Sequence, residues 1–101
     1  MVKGAGFFDD HHVPLYTVGQ VAAMLGVQTA FVRRLDTESV VQPARSDGGQ
    51  RRYTRAEIDQ VSAISQMAGE GMSLPGIRRI LALEAEVAKL KRQLDRNRRS
   101  R

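Results

Sequence analysis

Six arginines carry the chemistry that stands out first in this chain. Arg33 and Arg34 sit in the run Phe31-Val32-Arg33-Arg34-Leu35-Asp36, and Arg45, Arg51, Arg52 and Arg55 surround Ser46-Asp47-Gly48-Gly49-Gln50. A guanidinium stays charged at any physiological pH and presents a planar fork of donors that matches phosphate oxygens two at a time. The same fork can bond both major-groove acceptors of a guanine. Arg51, Arg52 and Arg55 fall within five residues beside a flexible turn. That grouping points to phosphate contact rather than to a merely solvated hairpin.

Other chemistries find little support. The run Asp9-Asp10-His11-His12 has ligand-type residues, but it lies in a stretch without periodicity, where a chance grouping is the simpler reading. Neither a metal nor a cofactor is expected. With no cysteine, disulfides, thiolate zinc sites and thiol redox sensing are excluded. The two histidines are adjacent, no nucleophile–base pair is visible and no glycine-rich phosphate loop is present, so an enzyme is not expected.

The elements that must hold the arginines can be read in order. Residues 1–13 lack periodicity and read as a flexible leader, with Phe7 and Phe8 as its apolar residues and Pro14 as its close. Thr17 with Gln20 has capping-box spacing, Val18, Val21, Ala22 and Leu25 make one apolar face, and Gly26 is a left-handed stop. A second helix follows a short turn and runs to about Thr37, with Phe31, Val32 and Leu35 inward. Its expected outward residues are Gln28, Thr29, Ala30, Arg33, Arg34 and Thr37. Pro43 forbids further helix, and Asp47-Gly48 with Gly49 predicts a hairpin whose flanks lie near residues 43–45 and 51–53. Thr54 with Glu57 opens a third helix that ends at Gly69 and Gly71, and Ser73 caps a fourth. From Ile80 the apolar residues Ile80, Leu83, Val87, Leu90 and Leu94 are spaced 3, 4, 3, 4, a narrow coiled-coil seam. Just over two heptads are marginal alone, so a dimer is expected in preference to a helix folding back on its own domain.

The fold class is therefore mainly α, a winged helix-turn-helix with a small β-hairpin wing and a C-terminal dimerisation helix. The expected divisions are a leader (1–13), a winged helix-turn-helix DNA-binding domain (14–75), a dimerisation helix (76–95) and a frayed basic tail (96–101). A chain of 101 residues has room for one such domain. No apolar run approaches a membrane span and no signal peptide is visible, so a cytoplasmic, nucleoid-associated protein is expected, with no membrane partner. Net charge is +5, and residues 70–101 hold 9 basic against 4 acidic residues. Such an excess favours polyanions through counterion release.

These residues resemble the MerR superfamily of transcription regulators. The resemblance rests on Tyr16-Thr17-Val18-Gly19-Gln20-Val21-Ala22, on Arg33 with Asp36, on Pro43-Ala44-Arg45 to Gly49-Gln50-Arg51-Arg52-Tyr53, and on Gly71-Met72-Ser73-Leu74. The continuation Pro75-Gly76-Ile77-Arg78-Arg79-Ile80-Leu81 and Leu83-Glu84 is most similar to the heat-shock repressor (HspR-like) branch. The resemblance implies a homodimer on double-stranded DNA, with Arg33 serving a recognition helix. It also implies that the wing and its flank (Thr17, Arg45, Gly49, Gln50, Arg51, Arg52 and Tyr53) grip phosphates, Tyr53 anchoring the wing near the backbone. That branch represses chaperone genes and responds through protein partners, which implies a protein co-regulator. Because the chain stops after its last helix, no effector-binding domain is expected.

The chain departs from the family pattern at Leu35, where an aromatic is usual, and at Ser39, where glycine is usual. Residues 27–38 also carry no net charge. The leading expectation is a sequence-specific regulator, more plainly a repressor than an activator. The alternative is a protein–protein adaptor that uses its C-terminal helix and binds DNA weakly or with a partner's help.

Overall fold

A computed structural model describes residues 11–100. The order is helix α1 (Val18–Leu25), helix α2 (Thr29–Thr37), strands β1 (Ala44–Arg45) and β2 (Arg51–Arg52), helix α3 (Arg55–Gly69) and helix α4 (Leu74–Arg99). The mainly helical architecture with one small antiparallel hairpin is the expected one.

Local rules set the helix starts. Thr17 and Thr54 each form a complete capping box, the hydroxyl accepting from the N–H of Gln20 or Glu57 while that residue's side chain accepts from the cap's own N–H. Ser73 caps α4 by accepting from the Gly76 N–H at 3.2 Å, with Pro75 in the first turn where its missing N–H costs nothing. Gly26 ends α1 in the left-handed region at φ 68°, and Val27 N–H returns to the Ala22 carbonyl. That tight stop turns the chain straight into α2.

One core joins these elements. Val21 and Ala22 of α1 meet Val32 and Leu35 of α2, and Ile58, Val61 and Ile64 of α3 close over them with Tyr53 and Val41. Leu74 and Ile77 bring the first turn of α4 into the same core. Burial of such side chains contributes roughly 1.5–3 kcal/mol each. The expected boundary at residue 75 therefore divides a helix whose start belongs to the head.

The wing pairs Ala44 with Arg52 and Arg45 with Arg51. Its turn closes through Gly49 N–H on the Ser46 carbonyl, and the left-handed residue is Gly49 at φ 83°. Asp47 and Gly48 fill the centre of the turn without needing positive φ. Tyr53 continues past β2 into a bridge with Tyr16, with Tyr53 N–H on the Tyr16 carbonyl and Tyr16 N–H on that of Tyr53. His11 C=O accepts from the Ala56 N–H at 3.1 Å, so the expected leader is fastened at residue 11. Residues 1–10, with Phe7, Phe8, Asp9 and Asp10, lie outside the described residues, as does Arg101. Among the described residues no group of three or more side chains could hold a metal ion.

Helix α4 is longer at both ends than the expected 76–95. Arg96, Arg98 and Arg99 continue it instead of forming a separate tail, since cations in a last turn complement the helix dipole. Every described residue from 82 onward is exposed, and Leu83, Val87, Leu90 and Leu94 are each about half exposed. The helix does not fold back on its own head. None of the described helices is long and apolar enough to cross a membrane.

Two departures from local rules have measurable consequences. Ser39 sits at φ 60°, the only described non-glycine residue with positive φ. A side chain there costs about 1 kcal/mol or more, partly offset in any glycine variant by its looser unfolded chain. Ser39→Gly is therefore expected to raise unfolding stability by about 0.5 kcal/mol, read as a higher urea midpoint at unchanged slope. The Tyr53 hydroxyl is buried and has no hydrogen-bond partner among the described residues. An unpaired buried hydroxyl costs about 1–3 kcal/mol, so Tyr53→Phe is expected to stabilise the fold by about 1 kcal/mol, and a lower midpoint would show that the hydroxyl is satisfied in solution.

Candidate nucleic-acid interface

A cleft of about 410 Å³ opens between α1, α2 and the wing. It is lined by Thr17 and Val18 at the start of α1, by Arg33 of α2 and by Gly49, Gln50, Arg51 and Arg52 of the wing. Three separate stretches of sequence thus deliver three guanidinium-bearing residues and a helix N-terminus to one place. The first N–H groups of a helix carry partial positive charge and lack internal partners. Combined with Arg51 and Arg52 of the wing, they make a site chemically suited to a phosphate, with Arg33 on its α2 side.

The arginines are held in different ways. The Arg51 Nε–H donates to Oδ2 of Asp36, an ion pair linking wing to α2, with the Asp36 side chain only 13% exposed. Arg45 Nη1 donates to the Gly49 carbonyl at 2.9 Å and stiffens the hairpin. Arg52 Nη1 reaches the Arg51 carbonyl at 3.4 Å. Arg34 Nε donates to Oε2 of Glu38 at 2.8 Å along the exposed side of α2. Arg33 makes no ion pair with any described residue, which leaves its charge open toward the cleft. The Thr37 hydroxyl donates to the Arg33 carbonyl at 3.1 Å.

Of the residues singled out from sequence, Thr17, Arg33, Gly49, Gln50, Arg51 and Arg52 converge on this cleft. Gln28, Thr29, Ala30, Arg34, Thr37 and Arg45 are exposed but do not line it. Tyr53 is the exception, since it is wholly buried in the core instead of presenting its ring to a ligand. Burial pushes its hydroxyl above the usual tyrosine range; Arg51 pulls it back, Glu57 adds to the rise and Arg33 opposes it. Its wing role is therefore exerted from inside. Leu35 is likewise fully buried, so the chain uses that position for packing.

Two participants were missed. Val18 lines the cleft because it begins α1, a consequence of the Thr17 cap. Asp36 was read with Arg33 as part of the family pattern and as one of the charges that leave residues 27–38 neutral, whereas it holds Arg51 across fifteen residues of sequence. No local spacing rule reaches that far.

Comparison with known proteins places the fold. The model of the MerR HTH family regulatory proteins matches residues 16–84. Over 78 residues the chain is 35% identical to the heat shock protein HspR of Streptomyces coelicolor, taking in 76% of this chain and 52% of that protein. The chain thus spans about half the length of that relative. GlnR of Bacillus anthracis is 23% identical over 88 residues, covering 84% of this chain and 68% of its own. Among solved structures, HiNmlR, a MerR family regulator lacking the sensor domain and bound to promoter DNA, aligns with a TM-score of 0.60 at 26% identity, over 79% of this chain and 82% of that one. MtaN, the N-terminus of the Bacillus subtilis multidrug transporter activator, aligns with a TM-score of 0.61 at 26% identity, over 80% and 86% of the two chains. The chain belongs to the MerR family of helix-turn-helix regulatory proteins.

Proposed function

We propose that the chain is a sequence-specific regulator of transcription that binds double-stranded DNA as a homodimer and acts as a repressor. The observation that carries this reading is the convergence of Arg33, Arg51 and Arg52 with the N-terminus of α1 on one cleft. In the proposed complex α2 enters the major groove, where Arg33 bonds a guanine edge. The start of α1 and the wing hold adjacent phosphates. The Thr17 hydroxyl accepts from Gln20, which leaves its own proton for a phosphate oxygen. The related HiNmlR was solved on promoter DNA, which supports the same use of the same elements here.

Dimerisation is assigned to the half-exposed seam Leu83, Val87, Leu90 and Leu94, together with Ile80 at its start. Pairing two copies along it would remove four large apolar residues per chain from water. The likeness to a heat shock protein HspR supports repression as the sense of regulation. The neutral balance of residues 27–38 supports assistance by a protein co-regulator. Such a regulator would reside in the cytoplasm, at the nucleoid.

Two experiments test the reading. Arg33→Ala is expected to weaken binding to a selected operator by about 10- to 100-fold while leaving the thermal midpoint unchanged, because a bidentate guanine contact is worth about 1–3 kcal/mol. Normal operator binding in a gel-shift titration would show that α2 does not read bases. Leu83→Glu with Leu90→Glu is expected to halve the mass in sedimentation and to cut operator affinity by about 10²-fold or more, since two linked heads bind with avidity. An unchanged mass would assign the dimer contact elsewhere.

A further inference from the structure

The far half of α4 carries a second charged surface that the cleft does not use. On a helix advancing about 100° per residue, Lys89, Arg92, Arg96 and Arg99 fall within a sector of about 80°, on the side opposite the apolar seam. All four are exposed, and neither of the ion pairs formed among the described residues involves them. Several are neighbours at i+3 or i+4, where like charges repel and disfavour an isolated helix. Asp95 is the one acidic residue between 89 and 100.

The direction of this stripe is set by the start of the same helix. Leu74 and Ile77 are buried against the head and Leu81 packs beside them, all within about 80° of the stripe's centre. Arg78 lies in the stripe's own sector, and its Nη1 donates to the Glu38 carbonyl just past α2 at 3.1 Å. The stripe therefore continues the head-facing side of α4, from about 16 Å to about 31 Å beyond Arg78 at the rise of an α-helix. That reach is within about one helical turn of B-form DNA, about 34 Å. Its own length, about 15 Å, runs beside about four phosphates of one strand of a duplex.

We propose that Lys89, Arg92, Arg96 and Arg99 form a second, sequence-independent binding site for the phosphate backbone of the duplex that the head holds. The inference rests on the DNA-binding reading above. Charge complementarity commits the site to a duplex: four unpaired cations in a straight row match a continuous line of phosphates, and no apolar residue interrupts them. The head supplies base recognition and the helix supplies reach. Binding also relieves the like-charge repulsion along α4.

The test compares the full chain with the variant Lys89→Gln, Arg92→Gln, Arg96→Gln and Arg99→Gln on a duplex of about 40 base pairs containing a selected operator, by anisotropy across a salt series. Each phosphate contact contributes about 0.9 to the slope of log affinity against log salt. The variant is expected to show a slope shallower by about 3 or more, an unchanged preference for the operator over scrambled sequence, and an unchanged mass in sedimentation. Equal slopes for the two proteins would overturn the site. A changed mass would assign the stripe to contact between copies of the chain and overturn it too. So would equal slopes together with stripe-dependent capture of polyglutamate, which would mark an acidic protein as the partner. Failure of the DNA-binding reading looks different: the unaltered chain would then bind no duplex even in dilute salt, whereas failure of the stripe alone leaves operator binding intact.

Discussion

The side chain of Tyr53 fills the core between the helices, while its backbone pairs with Tyr16 on one side and runs directly from β2 on the other. Two residues earlier, Arg51 reaches from the same strand to Asp36 of α2. These contacts differ in kind and in size. Burying a large side chain is worth about 2–3 kcal/mol, whereas a partly exposed ion pair contributes at most about 1 kcal/mol. The ring therefore fixes where the wing stands, and the ion pair fixes how the Arg51 fork is turned. Because Tyr16 immediately precedes the Thr17 cap, the same joint also sets the start of α1 against the wing. Every wall of the cleft is referenced to that one buried residue.

This explains why an unpaired hydroxyl is tolerated in the core. The tyrosine ring offers large apolar area with few rotatable bonds, and two turns of chemistry hang on its placement. The hydroxyl lies within electrostatic reach of Arg33, Arg51 and Glu57. A group that titrates there does so out of its usual range because burial, the largest influence, disfavours the charged form.

Features governed by near neighbours were legible in the sequence. Thr17 with Gln20, Thr54 with Glu57, and Ser73 before Pro75 announce their helices through spacings of two or three residues, and each cap is found. The turn at Asp47-Gly48-Gly49 and the arginines around it were legible for the same reason. The pairing of Asp36 with Arg51 was not, because it depends on how the hairpin folds back over α2. Tyr53 looked like a surface aromatic because a motif names a residue without giving its burial. Ser39 was recognised as standing where glycine is usual, and its positive φ gives the backbone reason for that preference. The helical continuation to Arg99 was hidden because arginine-rich ends read equally well as coil when no apolar residue marks the period.

Helix α4 shows how one element can serve surfaces that never meet. Its first turn is core, its middle presents a seam of aliphatic residues and its opposite side is a row of cations. A helix that spent both its apolar and its charged residues on its own head would leave nothing for a partner. Here 26 residues, about 39 Å of helix, are anchored by only Leu74, Ile77 and their neighbours, and the rest projects without internal support. Isolated helices gain little stability from propensity alone, and the repelling cations lower it further. The projecting part would thus gain stability from contact with apolar side chains along one face or with negative charge along the other.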